Sequence, residues 1–206
     1  MKVWDLGTRL YHWLQVVLFI GLLASGLSGS GPHIQLGLVL FTLLLWRIIW
    51  GFVGSETSRF CNFLSSTSRV YRYLKYKEDH KPGHNPAGGW MVVAMISALF
   101  LQCLSGLALA GFLDGLPYSE VWLTDNLFAL LESTHLVLVK VLPALVCVHV
   151  LAILVYKFRS QPLTWAMITG YQKSLSTHRP VQLAPLFHAV LALISAILIT
   201  LGLTLL

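Results

Sequence analysis

Long apolar runs separated by short polar stretches recur five times along the chain, over residues 9–28, 33–53, 90–112, 130–156 and 184–206. Each is about as long as the ~20 residues a helix needs to cross the hydrocarbon of a bilayer. The pattern predicts an all-α integral membrane protein with five transmembrane helices. These runs use up most of the chain, so it reads as one membrane bundle with little left for a separate soluble domain. The first run reads as a span rather than a cleaved leader, because Asp5 stands in the would-be basic region and His12 and Trp13 stand where the apolar run begins. The long connection 54–89 has its own pattern. Between Arg59 and Lys77, the residues Phe60, Phe63, Leu64, Val70, Tyr71, Tyr73, Leu74 and Tyr76 interleave with bases, which suits a helix lying in the lipid headgroup layer. A second stretch, 160–181, holds Trp165 and Tyr171 and is expected to lie along the membrane in the same way.

Composition agrees with this pattern. The chain is 56% hydrophobic and 11% charged, whereas a soluble domain carries about a quarter charged residues. The net charge of +6 is a matter of topology. With the N-terminus in the cytoplasm, thirteen of the fourteen Lys and Arg fall at the inner side; the exception, Lys140, lies inside the fourth span. The outer connections then hold Asp114, Glu120, Asp125 and Glu132 and no base. The bases cluster at membrane ends, which excludes nucleic acid as a partner. Cys61, Cys103 and Cys147 form no metal or redox motif; the two within spans, Cys103 and Cys147, read as small packing residues.

Candidate chemistry comes from the eight histidines. His135 and His149 share the fourth span, fourteen residues apart. That spacing is about 21 Å along a helix, with the two side chains within about 40° of each other. His12 lies near the inner end of the first span and His33 at the outer end of the second. Helix direction therefore sorts four histidines into two pairs by depth, His12 with His149 and His33 with His135. Two neutral imidazoles facing each other in hydrocarbon suit axial ligation of a haem iron and leave it no open position, which favours electron transfer over oxygen binding. Arg9 and Arg47 are available for the propionates of the inner haem. No C-x-x-C-H motif occurs, so covalent haem attachment is not expected. The dispersed histidines do not form the compact tetrahedral set that zinc requires. His80 and His178 read as solvated. His84, in a Gly-His-Asn-Pro turn, and His188 read first as structural, with contact to a propionate or a quinone headgroup as the alternative.

Several of these segments resemble the bacterial di-haem cytochrome b561 and nickel-iron hydrogenase b-subunit family. They are the opening VWDLGTRLYHW with His12, the second-span set His33, Gly37 and Arg47, GHNPAGGWM at 83–91, the histidines 135 and 149, and AMITG at 166–170. Gly7 stands where the family usually has proline. The resemblance covers roughly 1–170 and implies a four-helix haem-binding domain; beyond its end, at 171–206, the apolar pattern adds an inner connection and a further C-terminal transmembrane helix. It further implies two b haems held by His12, His33, His135 and His149 in a bacterial inner membrane; the charge asymmetry and the five spans place the C-terminus in the periplasm. The expected partners are a quinone and, on the outer face, a c-type cytochrome or hydrogenase-like subunit. Two other functions compete with this one. One is a self-contained quinone-linked oxidase, such as a superoxide oxidase. The other is a haem-free transporter, suggested by Lys140, since an intramembrane base often marks an ion path.

Overall fold

The computed structural model describes residues 1–76, 82–158, 162–172 and 179–205. His80, His178, Lys77, Lys81, Arg159 and Lys173, which carry some of the expectations above, lie outside the described residues. The rest is helical: α1 (Leu6–Ser28), α2 (His33–Val53), α3 (Phe60–Phe63), α4 (Thr67–Tyr76), α5 (Pro86–Leu109), α6 (Ser119–Trp122), α7 (Asp125–Phe158), α8 (Leu163–Thr169) and α9 (Leu186–Thr204). The helices α1, α2, α5, α7 and α9 are each long and apolar enough to cross a membrane, and together they form a membrane-spanning helical bundle.

Local chemistry explains where the helices start. At α1, Asp5 caps the first turn by accepting the Thr8 amide, and Gly29 closes the helix in the left-handed conformation. At α5, Asn85 accepts the Gly88 amide and Pro86 occupies the first helical position, where its missing N–H costs nothing. This helix therefore begins four residues before the apolar run. The helix α7 starts earlier than its apolar run as well, at Asp125. Its 34 residues span about 51 Å against about 30 Å of hydrocarbon, so it is longer than crossing the hydrocarbon requires. The single helix expected between Arg59 and Lys77 is broken at 64–66 into α3 and α4.

The central element is α2, which packs against α1, α5 and α9, while α7 packs mainly on α5. One apolar core joins Leu18, Leu40, Phe41, Leu44, Leu99, Cys103 and Leu142 from α1, α2, α5 and α7. A second joins Tyr11, Trp46 and Trp50 to Ala189, Ala192 and Ala196, seating α9 on the side of α2 away from α7. Cys103 packs in the core as expected, whereas Cys147 is exposed on α7. Gly7 lies close under Trp46; a Cβ there would come within 3.2 Å of the indole.

Candidate functional site

Two polar clusters lie at opposite ends of the bundle. The first gathers where the N-terminus, α2–α3, α5 and α8 meet, at the basic end. The buried carboxylate of Asp5 accepts from Thr8 N (2.7 Å), Thr8 Oγ1 (2.9 Å), Ser58 Oγ (3.3 Å) and Trp50 Nε1 (3.4 Å). Thr57 Oγ1 donates to the Val3 carbonyl (2.7 Å), and the Val3 and Trp4 amides donate to Gly170 O. Arg9 Nη1 donates to the Ile168 carbonyl, so part of this guanidinium holds the end of α8. At Gly170 the backbone is left-handed, and a Cβ would meet the Trp4 carbonyl and the Arg9 guanidinium. The AMITG segment is thereby locked onto the start of α1.

Inside this frame Arg47 is almost fully buried, with its guanidinium 5.2 Å from the Phe60 ring and 6.0 Å from Phe63. Its Nη1 has no hydrogen-bond partner, and neither do the buried atoms Arg9 Nε, Arg59 Nε, His12 Nδ1 and His84 Nδ1. Buried donors without acceptors are costly. Among the described residues, four acids are far away at the other end, Asp5 is held in its own cage, and Glu56 pairs with Arg179. A ligand bearing carboxylates is the chemical complement of this set. The His84 ring sits between Trp4 and Phe63, each 4.8 Å away. Loss of hydration, reinforced by the nearby Arg47 charge, pushes its pKa down to about 3, so it is neutral at physiological pH. His188 instead lies exposed on α9, beside Phe187.

At the acidic end, His33 of α2 and His135 of α7 approach with ring centres 6.5 Å apart and planes at 75°. A metal–imidazole bond of about 2 Å on each side, plus about 1 Å from nitrogen to ring centre, puts two imidazoles on one metal ion roughly 6 Å apart. Both rings are anchored through Nδ1. The Ser25 hydroxyl lies 3.0 Å from His33 Nδ1, and the Ser105 hydroxyl 3.1 Å from His135 Nδ1. His135 Nδ1 also lies 3.2 Å from the Gln102 carbonyl, which can only accept, so Nδ1 carries the proton and Nε2 the lone pair. Gly26 and Gly106 make room for the rings; a Cβ at either would fall 3.1 Å from the Cε1 of its histidine. One turn beyond His33, Gly37 has open space where its Cβ would be. Among the described residues no group of three or more His, Cys, Asp or Glu could hold a metal. Two imidazoles leave a metal's coordination sphere unfilled, and an iron porphyrin is one group that supplies four further donors.

The fourteen-residue spacing holds on α7. His135, Leu142 and His149 follow one another at seven-residue intervals along its least exposed face, although Pro143 falls between the histidines without ending the helix. His12 lies at the basic end of α1. Lys140, by contrast, is exposed on α7, about 140° around the helix from His135. Ser25, Gly26, Ser105, Gly106 and Gln102 are absent from the sequence-based site. The signal that could have revealed them is the Ser-Gly-Leu repeat at 25–27 and 105–107, late in the helix that precedes each of the two helices bearing these histidines.

A family model described as prokaryotic cytochrome b561 matches residues 3–170. No curated protein and no solved structure matches the chain.

Proposed function

The chain belongs to the prokaryotic cytochrome b561 family and is a membrane b-type cytochrome of electron transport; from this premise we propose that it carries electrons across a bacterial inner membrane between a quinone and an outer redox partner. Two haems, one near each surface, would be held by His12 with His149 and by His33 with His135. The orientation is N-terminus inside, so His33 and His135 belong to the outer level. The observation that carries this reading is the His33–His135 pair, whose rings stand at a metal-bridging separation with Nδ1 engaged on both sides. Bound haem would supply a one-electron iron couple with no vacant coordination site.

The protein's own groups supply position and charge. The helices α2 and α7 present the outer imidazoles, α1 and α7 the inner ones. Arg47, with the free Nε atoms of Arg9 and Arg59, offers donors to carboxylates at the inner level. The outer partner, a c-type cytochrome or a hydrogenase-like subunit, would meet a face whose four acids are all exposed. That face repels anions, which disfavours a self-contained oxidase drawing superoxide to the outer haem. Lys140 stands exposed on α7, which weakens the one feature that suggested a haem-free transporter.

The test is selective loss. Replacing His33 or His135 by Ala should remove one spectral component, replacing His12 or His149 the other, and the unaltered protein should yield about two noncovalent haems per chain by the pyridine adduct. If His12→Ala and His33→Ala remove the same component, the pairing is wrong.

A further inference from the structure

The two serines at the outer site repeat one device. Each is followed by a glycine whose missing Cβ admits an imidazole from the next long helix. Each also commits its own proton to its own helix, Ser25 Oγ donating to the Leu22 carbonyl (3.2 Å) and Ser105 Oγ to the Gln102 carbonyl (3.0 Å). A hydroxyl whose proton is used in this way presents a lone pair, so it accepts from Nδ1–H of the facing histidine. Donation by the hydroxyl to a carbonyl also strengthens its oxygen as an acceptor. Both rings are held in the tautomer with Nε2 bare. The two copies are unequal, however. His135 Nδ1 has the Gln102 carbonyl as a second acceptor, whereas Ser25 is the single partner of His33 Nδ1 among the described residues.

We propose that Ser25 and Ser105 are positioning residues for the outer haem, orienting the bare Nε2 of His33 and His135 towards the iron and setting its potential, with Ser25 carrying the greater weight. This rests on the reading that His33 and His135 ligate a haem. An acceptor on Nδ1–H fixes the ring and makes it a more basic ligand. A more basic ligand favours the oxidised iron, so each serine lowers the potential. Loss of an outer partner of this kind typically weakens metal retention or activity by about 10- to 100-fold. The backbone carbonyl of Gln102 survives any side-chain change, so His135 is buffered and His33 is not.

The experiment uses the full-length protein in detergent with Ser25→Ala, Ser25→Thr and Ser105→Ala. Haem per chain, component-resolved redox titration and the low-spin ferric EPR signals are measured in each. Ser25→Ala should raise the midpoint of the outer component and shift its EPR signature, leaving the inner component alone. Ser105→Ala should do the same to a smaller extent, and Ser25→Thr, which keeps the hydroxyl, should restore the original values. Should Ser25→Ala lose the outer haem entirely, retention in Ser25→Thr supports the proposal and loss in both overturns it. Unchanged potential and EPR signals in Ser25→Ala also overturn it. Failure of the underlying reading is separate: His33→Ala would then retain both haems.

Discussion

At the residue scale, the site depends on what is small as much as on what ligates. Gly37 lies one turn after His33 on the same face of α2, with nothing within 4 Å of its would-be Cβ. If that space is where the outer haem lies, Gly37→Leu should fill it, removing the haem of His33 and His135 while sparing the other and leaving the helical circular dichroism intact. Pyridine-adduct stoichiometry and the reduced difference spectrum check this; full outer occupancy in the variant would move the haem away from Gly37. Gly26 and Gly106 differ, because a Cβ there meets the ring of His33 or His135 itself at 3.1 Å and must push it rather than fill a space. The approach of His33 and His135 was legible because helix rise and charge asymmetry act on any side chain and need no knowledge of contacts. The serines were not, since a serine in a span more often bonds back to its own helix. Ser25 and Ser105 do bond back, and their second bond requires knowing which helices are neighbours.

At the element scale, five spans were legible from length and apolarity, but their starts were not. Asn85 and Pro86 begin α5 by capping chemistry, and α7 begins at Asp125, in each case before the apolar run. The placement of α9 was hidden as well, because a helix apolar on all sides advertises no face. Its docking face is written in small residues: Ala189, Ala192, Ala196 and Thr200 are its buried positions. The face is pinned by Trp46 Nε1 donating to the Ala189 carbonyl (3.0 Å) and Thr42 Oγ1 donating to Thr200 Oγ1 (2.9 Å). Ala196 has no exposed surface. Ala196→Leu should therefore overpack the α2–α9 seam at a cost of about 1–3 kcal/mol. Because α9 lies on the side of α2 away from α7, the haem spectra should survive unchanged while thermal unfolding in detergent shifts downward. Loss of haem in this variant would instead make α9 part of the haem-binding unit.

At the scale of the whole molecule, the chain is polarised from end to end. Described bases such as Arg9, Arg47, Arg59, Arg69, Arg72 and Lys75 gather where α1 begins and α2 ends, while Asp114, Glu120, Asp125 and Glu132 stand exposed at the other end. This polarity was legible from the sequence, since connections alternate between the two sides of a bundle; that Asp125 belongs to α7 rather than to the connection before it was not, because it depends on where the helix starts. The acids share that end with the strongly exposed Tyr118 and Val121 and the partly exposed Trp122, so the face offers both charge and apolar contact next to His33 and His135. Retention of bases inside would by itself leave acids outside, so their function has to be read from rates. Exposed charge acts mainly on encounter, and clefts or faces of one sign raise on-rates by about 10- to 1000-fold at low salt. Replacing Asp114, Glu120 and Asp125 with Asn or Gln should therefore slow bimolecular electron transfer to a basic partner roughly tenfold at low ionic strength. The difference should shrink as added salt brings the screening length to about 8 Å. On the proposed reading both haem spectra and both midpoints should stay in place, because no contact joins the three residues to His33 or His135 among the described residues. Stopped-flow rates with the native partner across ionic strength measure this, and an unchanged rate with an unchanged salt slope would reduce the acidic face to a by-product of membrane insertion.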